Sequence, residues 1–177
     1  MKEVVTKLVI TGPVNAGKTT LIRSLSDVPV VCTNEQASDA VLDLKEQTTV
    51  AMDHGVCYPY AGLALHLYGT PGQRRFDFMW EILAEGADGI VFVVDGSDAG
   101  SLDELKYIYD HYCARIRIPF LVLVTKQDIA ESVSLQHVAS TLGVGAEKVK
   151  HVDVRERGST MELLLSRFIS EDKVFPV

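Results

Sequence analysis

The sequence predicts an α/β protein, a mostly parallel sheet with helices on both faces, in one domain. Three observations carry this expectation. Apolar runs alternate with stretches of helical periodicity along the chain. The runs "LVIT", "GIVFVVD" and "FLVLVT" are continuously apolar and rich in β-branched residues, as strands buried on both faces are. Two further runs flank "PYAG" and read as one early antiparallel hairpin. A length of 177 residues suits a single core.

The elements follow in order. Lys7 to Gly12 reads as a buried strand entering a loop, and Gly17 to Ser26 as the next helix. Residues 30 to 47 are polar and irregular. "TVAMDHGVCY" and "LALHLYG" are the hairpin strands. "RFDFMWEILAEG" reads as a helix ending near Gly86, and "GIVFVVDGSD" as a buried strand. In "SLDELKYIYDHYCARI", Ser101 with Glu104 three residues later forms a capping-box pattern. "PFLVLVTKQD" is a strand, "SLQHVASTLG" a short helix, "KVKHVDV" the last strand and "TMELLLSRFISE" the last helix. The expected sheet is six-stranded, with one antiparallel strand and about five helices. No internal repeat, linker or low-complexity segment interrupts it, so residues 1–177 read as one domain.

Composition narrows the function classes. A net charge of -7 with no basic stripe argues against nucleic acid. It does not argue against a nucleotide, which backbone amides and one Lys can bind locally. Cys32, Cys57 and Cys113 are odd in number and widely spaced, which points to a reducing cytoplasm rather than a disulfide framework. No apolar run approaches the ~18 residues of a membrane span. A signal-peptide pattern and a lipidation motif are both missing, so no direct membrane anchor is expected.

"GPVNAGKT", Gly12 to Thr19, fits G-x-x-x-x-G-K-[ST] between an expected strand and an expected helix. Amides from Asn15 and Ala16 through Gly17, Lys18, Thr19 and Thr20 would surround a phosphate. The helix N-terminus adds partial positive charge. Lys18 would bridge β- and γ-phosphates, and the Thr19 hydroxyl would ligate Mg²⁺. The motif indicates a nucleoside triphosphate and leaves a small-molecule kinase, an ATPase and a GTPase open.

A base pocket is expected where "LVLVTKQD" ends. The Asp128 carboxylate can accept two hydrogens from guanine, whereas adenine would leave it unpaired. Lys126 would lay its stem over the base and cross to the phosphate loop. Thr125 stands where the guanine-binding pattern Asn-Lys-x-Asp has Asn, and it offers fewer polar atoms.

The order "GPVNAGKT", "TTVAMD", "YGTPGQRRF", "TKQD" resembles the Ras-like small GTPase superfamily over nearly the whole chain. The run from Tyr68 to Asp98 looks closest to a prokaryotic branch that includes the gliding-motility polarity GTPase MglA. The resemblance implies a P-loop NTPase fold in three layers. It implies a switch that is on with GTP and off with GDP, with Mg²⁺ as cofactor. The implied partners are a roadblock-type or other GTPase-activating protein and effectors. It assigns Thr49 to magnesium and the γ-phosphate, with Thr48 competing. Gly72 becomes a γ-phosphate contact and Gln73 the residue that orients the attacking water. Val154 falls where a backbone amide meets the base oxygen, with Arg155 beside it.

Two departures stand out. The superfamily pattern Asp-Thr-Ala-Gly-Gln has Gly69 in place of Asp and Pro71 in place of Ala. Asp53 is the nearby acid that could take over at magnesium. Between Cys32 and Thr49 the only cation is Lys45; Arg74 and Arg75 follow Gln73 and could reach phosphate or bind partners. The five histidines show no metal-ligand spacing, and Asp95 is expected to have a structural role at its strand end. The expected activity is therefore slow GTP hydrolysis to GDP and phosphate, needing an activator. The competing readings are a nucleotide-binding pseudo-GTPase module and a P-loop small-molecule kinase.

Overall fold

A computed structural model describes residues 3–32, 52–129 and 131–169. The strands are β1 (Val4–Thr11), β2 (Val31–Cys32), β3 (Asp53–Tyr60), β4 (Leu63–Gly69), β5 (Gly89–Asp95), β6 (Phe120–Thr125) and β7 (Val149–His151). The helices are α1 (Lys18–Leu25), α2 (Asp77–Ala84), α3 (Ala99–Cys113), α4 (Leu135–Leu142) and α5 (Arg157–Phe168). The sheet runs β2-β3-β4-β1-β5-β6-β7. β1 lies parallel to β4 and β5, β5 to β6, and β6 to β7, while β3 is antiparallel to β4.

Alternation along each strand divides the core in two. Leu8, Ile10, Leu65, Leu67 and Val91 face Leu21, Ile22, Leu25, Met161 and Leu164 of α1 and α5. Val9, Phe92, Val122 and Val124 face Trp80, Leu105, Ile108, Tyr112, Val138 and Leu142 of α2, α3 and α4. Every residue of β5 is buried, as its continuous apolar run predicts.

The expected six strands become seven. β2 is two residues long and pairs antiparallel with the start of β3, Val31 with His54 and Cys32 with Asp53. Two residues carry no periodicity, so this edge depends on β3 being there to pair with.

The cap of α3 also differs from expectation. Asp98 is the N-cap, its carboxylate accepting from the Gly100 amide at 2.9 Å, and Ser101 lies inside the first turn. Ser101 is buried, and its hydroxyl accepts from the Asp95 amide at 3.2 Å, tying the helix to the end of β5. α4 is capped by Ser134, whose hydroxyl accepts from the His137 amide at 3.2 Å.

The largest anchor of α2 is Trp80. Trp80 is fully buried, its indole N–H donating to the Pro71 carbonyl at 2.8 Å and its own carbonyl accepting from the Tyr112 hydroxyl at 3.2 Å. The loop after β4 is thereby fastened to the body of the sheet.

Candidate nucleotide-binding site

The site lies beyond the C-terminal ends of β1, β5, β6 and β7, where parallel α/β sheets bind ligands. β1 hands directly into the loop. A Cβ at Gly12 would stand 2.0 Å from the Val93 carbonyl oxygen, so the neighbouring strand leaves no room for a side chain. Asn15 (φ 63°) and Gly17 (φ 102°) turn the backbone through left-handed conformations, and α1 begins at the next residue. Ala16 is fully buried beneath the turn. Successive amides with this curvature form an anion-binding concavity.

Lys18 folds over this loop. Its ammonium donates to the carbonyls of Gly12 at 2.8 Å and Pro13 at 2.6 Å. Burial pushes its pKa down to about 8, and the Asp53 carboxylate partly opposes that. An ammonium held so far below its ordinary value, beside backbone carbonyls, suits a site completed by a polyanion. The adjacent Thr19 hydroxyl donates to Asp53 Oδ2 at 2.5 Å. A hydroxyl and a carboxylate are hard oxygen donors of the kind Mg²⁺ takes alongside phosphates, so the residues fit that ion.

The second half is a cleft of about 590 Å³. Its lining includes Asn15, Gly17, Thr20, Thr125, Lys126, Asp128, Val154 and Arg155, residues assigned above to the phosphate loop and the base pocket. Thr125 is buried, and its hydroxyl lies 3.0 Å from the Ala16 carbonyl and 3.1 Å from the Val94 carbonyl. One proton serves both, so this side chain clamps the phosphate loop to the sheet instead of facing the cleft with a free donor. Lys126 (φ 57°) reaches the Asn15 carbonyl at 3.2 Å and forms an ion pair with Asp95. Burial opposes ionisation of Asp95, yet hydrogen bonds from Lys126 and Ser97 hold its pKa below the ordinary carboxylate value.

Asp128 is exposed at the cleft edge, 3.8 Å from Arg155. Arg155 itself is held by Asp153, with contacts of 2.8 and 2.6 Å to its two oxygens. The Arg155 hydrogen bonds, side chain first and backbone second, bring the Asp153 pKa down to about 2. Sequence reasoning missed Asp153; its position two residues before an arginine on an exposed turn is the available signal.

The third part is the loop after β4. A Cβ at Gly72 would come within 2.6 Å of the Val14 amide nitrogen and 2.9 Å of the Gly12 carbonyl, so this loop touches the phosphate loop backbone to backbone. Thr70 fixes the approach: its amide donates to the Ile10 carbonyl at 2.9 Å, and its hydroxyl donates to Thr11 Oγ1 at 2.8 Å. Gln73 is exposed and, with Val14, Gly72 and Arg74, lines a smaller cleft of about 400 Å³. Arg74 turns away to α3 and pairs with Glu104. Thr49, Thr48 and Lys45 lie outside the described residues.

His54 and His66 stand on neighbouring strands with Nε2 and Nδ1 3.3 Å apart. Burial and then the nearby His66 lower the His54 pKa. Among the described residues, no three His, Cys, Asp or Glu side chains are grouped to hold a metal ion.

A left-handed glycine loop closed by a lysine, beside a strand-end cleft, defines a P-loop nucleotide-binding protein of the α/β class. Residues 1–166 match the ADP-ribosylation factor family. The chain belongs to that family, within the Ras-like small GTPases. It is 27% identical to ADP-ribosylation factor-like protein 6 of Caenorhabditis briggsae, over 80% of this chain and 70% of the relative. An uncharacterised protein of Methanocaldococcus jannaschii is 29% identical over 74% of this chain and 76% of its own length. Human ADP-ribosylation factor-like protein 4A is 32% identical over 47% of this chain and 43% of the relative.

Proposed function

We propose that the protein is a GTP/GDP switch that binds Mg²⁺-GTP and hydrolyses it slowly to GDP and phosphate. The observation that carries this reading is the contact of Gly72 with Gly12, Pro13 and Val14. It puts a loop with its own amide at the mouth of the phosphate loop, where the presence or loss of a γ-phosphate would be felt.

The roles follow from position. Gly12 and Asn15 to Thr20 wrap the phosphates, and Lys18 exchanges its carbonyl partners for β- and γ-phosphate oxygens. Thr19 and Thr49 would hold Mg²⁺, which when bound neutralises charge on the phosphates. Asp128 selects guanine while Thr125 steadies the loop under it. Lys126, Val154 and Arg155 complete the base cleft. Gln73 orients the water.

Arg74 pairs with Glu104 of α3, which favours charge neutralisation by a partner at the transition state. A partner arginine supplies up to about 10⁵ in rate in related chemistry. A roadblock-type protein is the activator that the resemblance to the gliding-motility branch suggests, and Gly69 before Thr70 supports that branch. Cytoplasmic action is part of the same proposal; among the described residues no helix is long and apolar enough to cross a membrane.

Gly69 also supports a second reading, a nucleotide-binding module that does not hydrolyse. Single-turnover hydrolysis of radiolabelled GTP, alone and with a roadblock-type candidate, separates the two. Phosphate release accelerated by the partner is expected; GTP bound but uncleaved in both reactions would establish the second reading.

A further inference from the structure

Asp53 opens β3 directly opposite Gly69, the last residue of β4. A Cβ at Gly69 would stand 3.1 Å from Asp53 Cβ, 3.4 Å from Asp53 Oδ2 and 2.8 Å from Ile22 Cδ1. The space a β4 side chain would enter is therefore taken by the Asp53 carboxylate and an Ile22 methyl group. From there the carboxylate accepts from the Thr19 hydroxyl at 2.5 Å. It touches the phosphate loop's own helix, although β4 lies between its strand and β1.

We propose that positions 53 and 69 share one carboxylate slot, which this chain fills from β3. Asp53 then orients the Thr19 hydroxyl and contributes the negative charge that favours Mg²⁺ beside it. The inference rests on the magnesium–nucleotide reading above. The slot has room for only one carboxylate, because a Cβ at 69 would already stand 3.1 Å from Asp53 Cβ and 2.8 Å from Ile22 Cδ1. Gly69 is thus a matched partner of Asp53, and restoring an acid at 69 alone does not improve the site.

The test follows release of fluorescent GDP in excess Mg²⁺ and in excess chelator. In the unchanged chain, chelator should speed release; no contrast there would remove the magnesium–nucleotide reading itself. Given that contrast, Asp53→Ala is expected to shrink it about tenfold, the usual scale for loss of a supporting carboxylate. Gly69→Asp alone should lower thermal stability without tightening Mg²⁺. The triple variant Asp53→Ala/Gly69→Asp/Ile22→Val, the last change clearing the methyl, should regain most of the contrast. An Asp53→Ala protein that binds GDP with the contrast intact overturns the proposal. So does a triple variant no better than Asp53→Ala. Should Asp53→Ala fail to fold, Asp53→Asn, which keeps the shape and removes the charge, carries the same comparison.

Discussion

Arg74 grips Glu104 of α3 through two hydrogen bonds of 2.9 Å, its guanidinium 4.0 Å from the centre of the Tyr107 ring. The first residue after Gln73 is thus anchored thirty positions ahead. This latch leaves Gln73 at the junction between a loop held to the phosphate loop and a short 3-10 turn, Arg74–Phe76, held to α3.

Arg74→Ala should leave intrinsic GTP hydrolysis within about threefold of the unchanged chain, since a stabilising arginine at the phosphates would cost about 10³ or more. Single-turnover rates without any partner check this. A thousandfold loss would mean that the latch opens and Arg74 itself reaches phosphate.

Trp80→Ala should destabilise the fold by about 3–5 kcal/mol, the range for emptying a large aromatic from a core. It also strips the Pro71 carbonyl of its indole donor. Chemical denaturation measures the first effect, and faster proteolysis near Gln73 reports the second.

Thr125→Val keeps the shape and removes the hydroxyl shared by the Ala16 and Val94 carbonyls. A loss of about 1 kcal/mol is expected. Nucleotide affinity should fall with it, because the clamp lies under the phosphate loop. Calorimetric titration with GDP reads the change.

Asp128→Ala should reduce the preference for GTP over ATP by at least about tenfold while leaving phosphate contacts intact. Competition between the two nucleotides gives the ratio. An unchanged ratio would place base selection elsewhere in the cleft.

The Lys18 pKa carries a pH signature. Its folded value of about 8 lies below the unfolded 10.5, so between these values the unfolded chain binds more protons. The nucleotide-free protein should therefore gain stability from this group as pH rises from 8 towards 10.5. Cys57, pushed by burial from 9.0 up to about 11, acts in the opposite direction over its own range. Subtracting the profile of Lys18→Ala isolates the lysine. Bound phosphates should restore the charged form and flatten the difference.

Legibility in the sequence tracked the range of each interaction. "LALHLYG" coincides with β4 to the residue because a turn bounds it on one side and a glycine ends it on the other. β5 and β6 were legible as continuous apolar runs. Ser101 reads locally as the cap of α3, but Asp98, three residues earlier, takes the position while Ser101 bonds to β5. Nothing local marks Val31–Cys32 as a strand, nor Glu104 as the partner of Arg74.

By itself the sequence determined the alternation of strands and helices and the phosphate loop between the first pair. Both are written in neighbouring residues, through side-chain period and the backbone freedom of glycine. Tertiary structure decided which charges meet. Asp53 faces Gly69 and Thr19, and Arg74 faces Glu104, because strand register and helix packing bring together residues far apart in the chain. Such encounters depend on where whole elements stack, and no local pattern of residues specifies that.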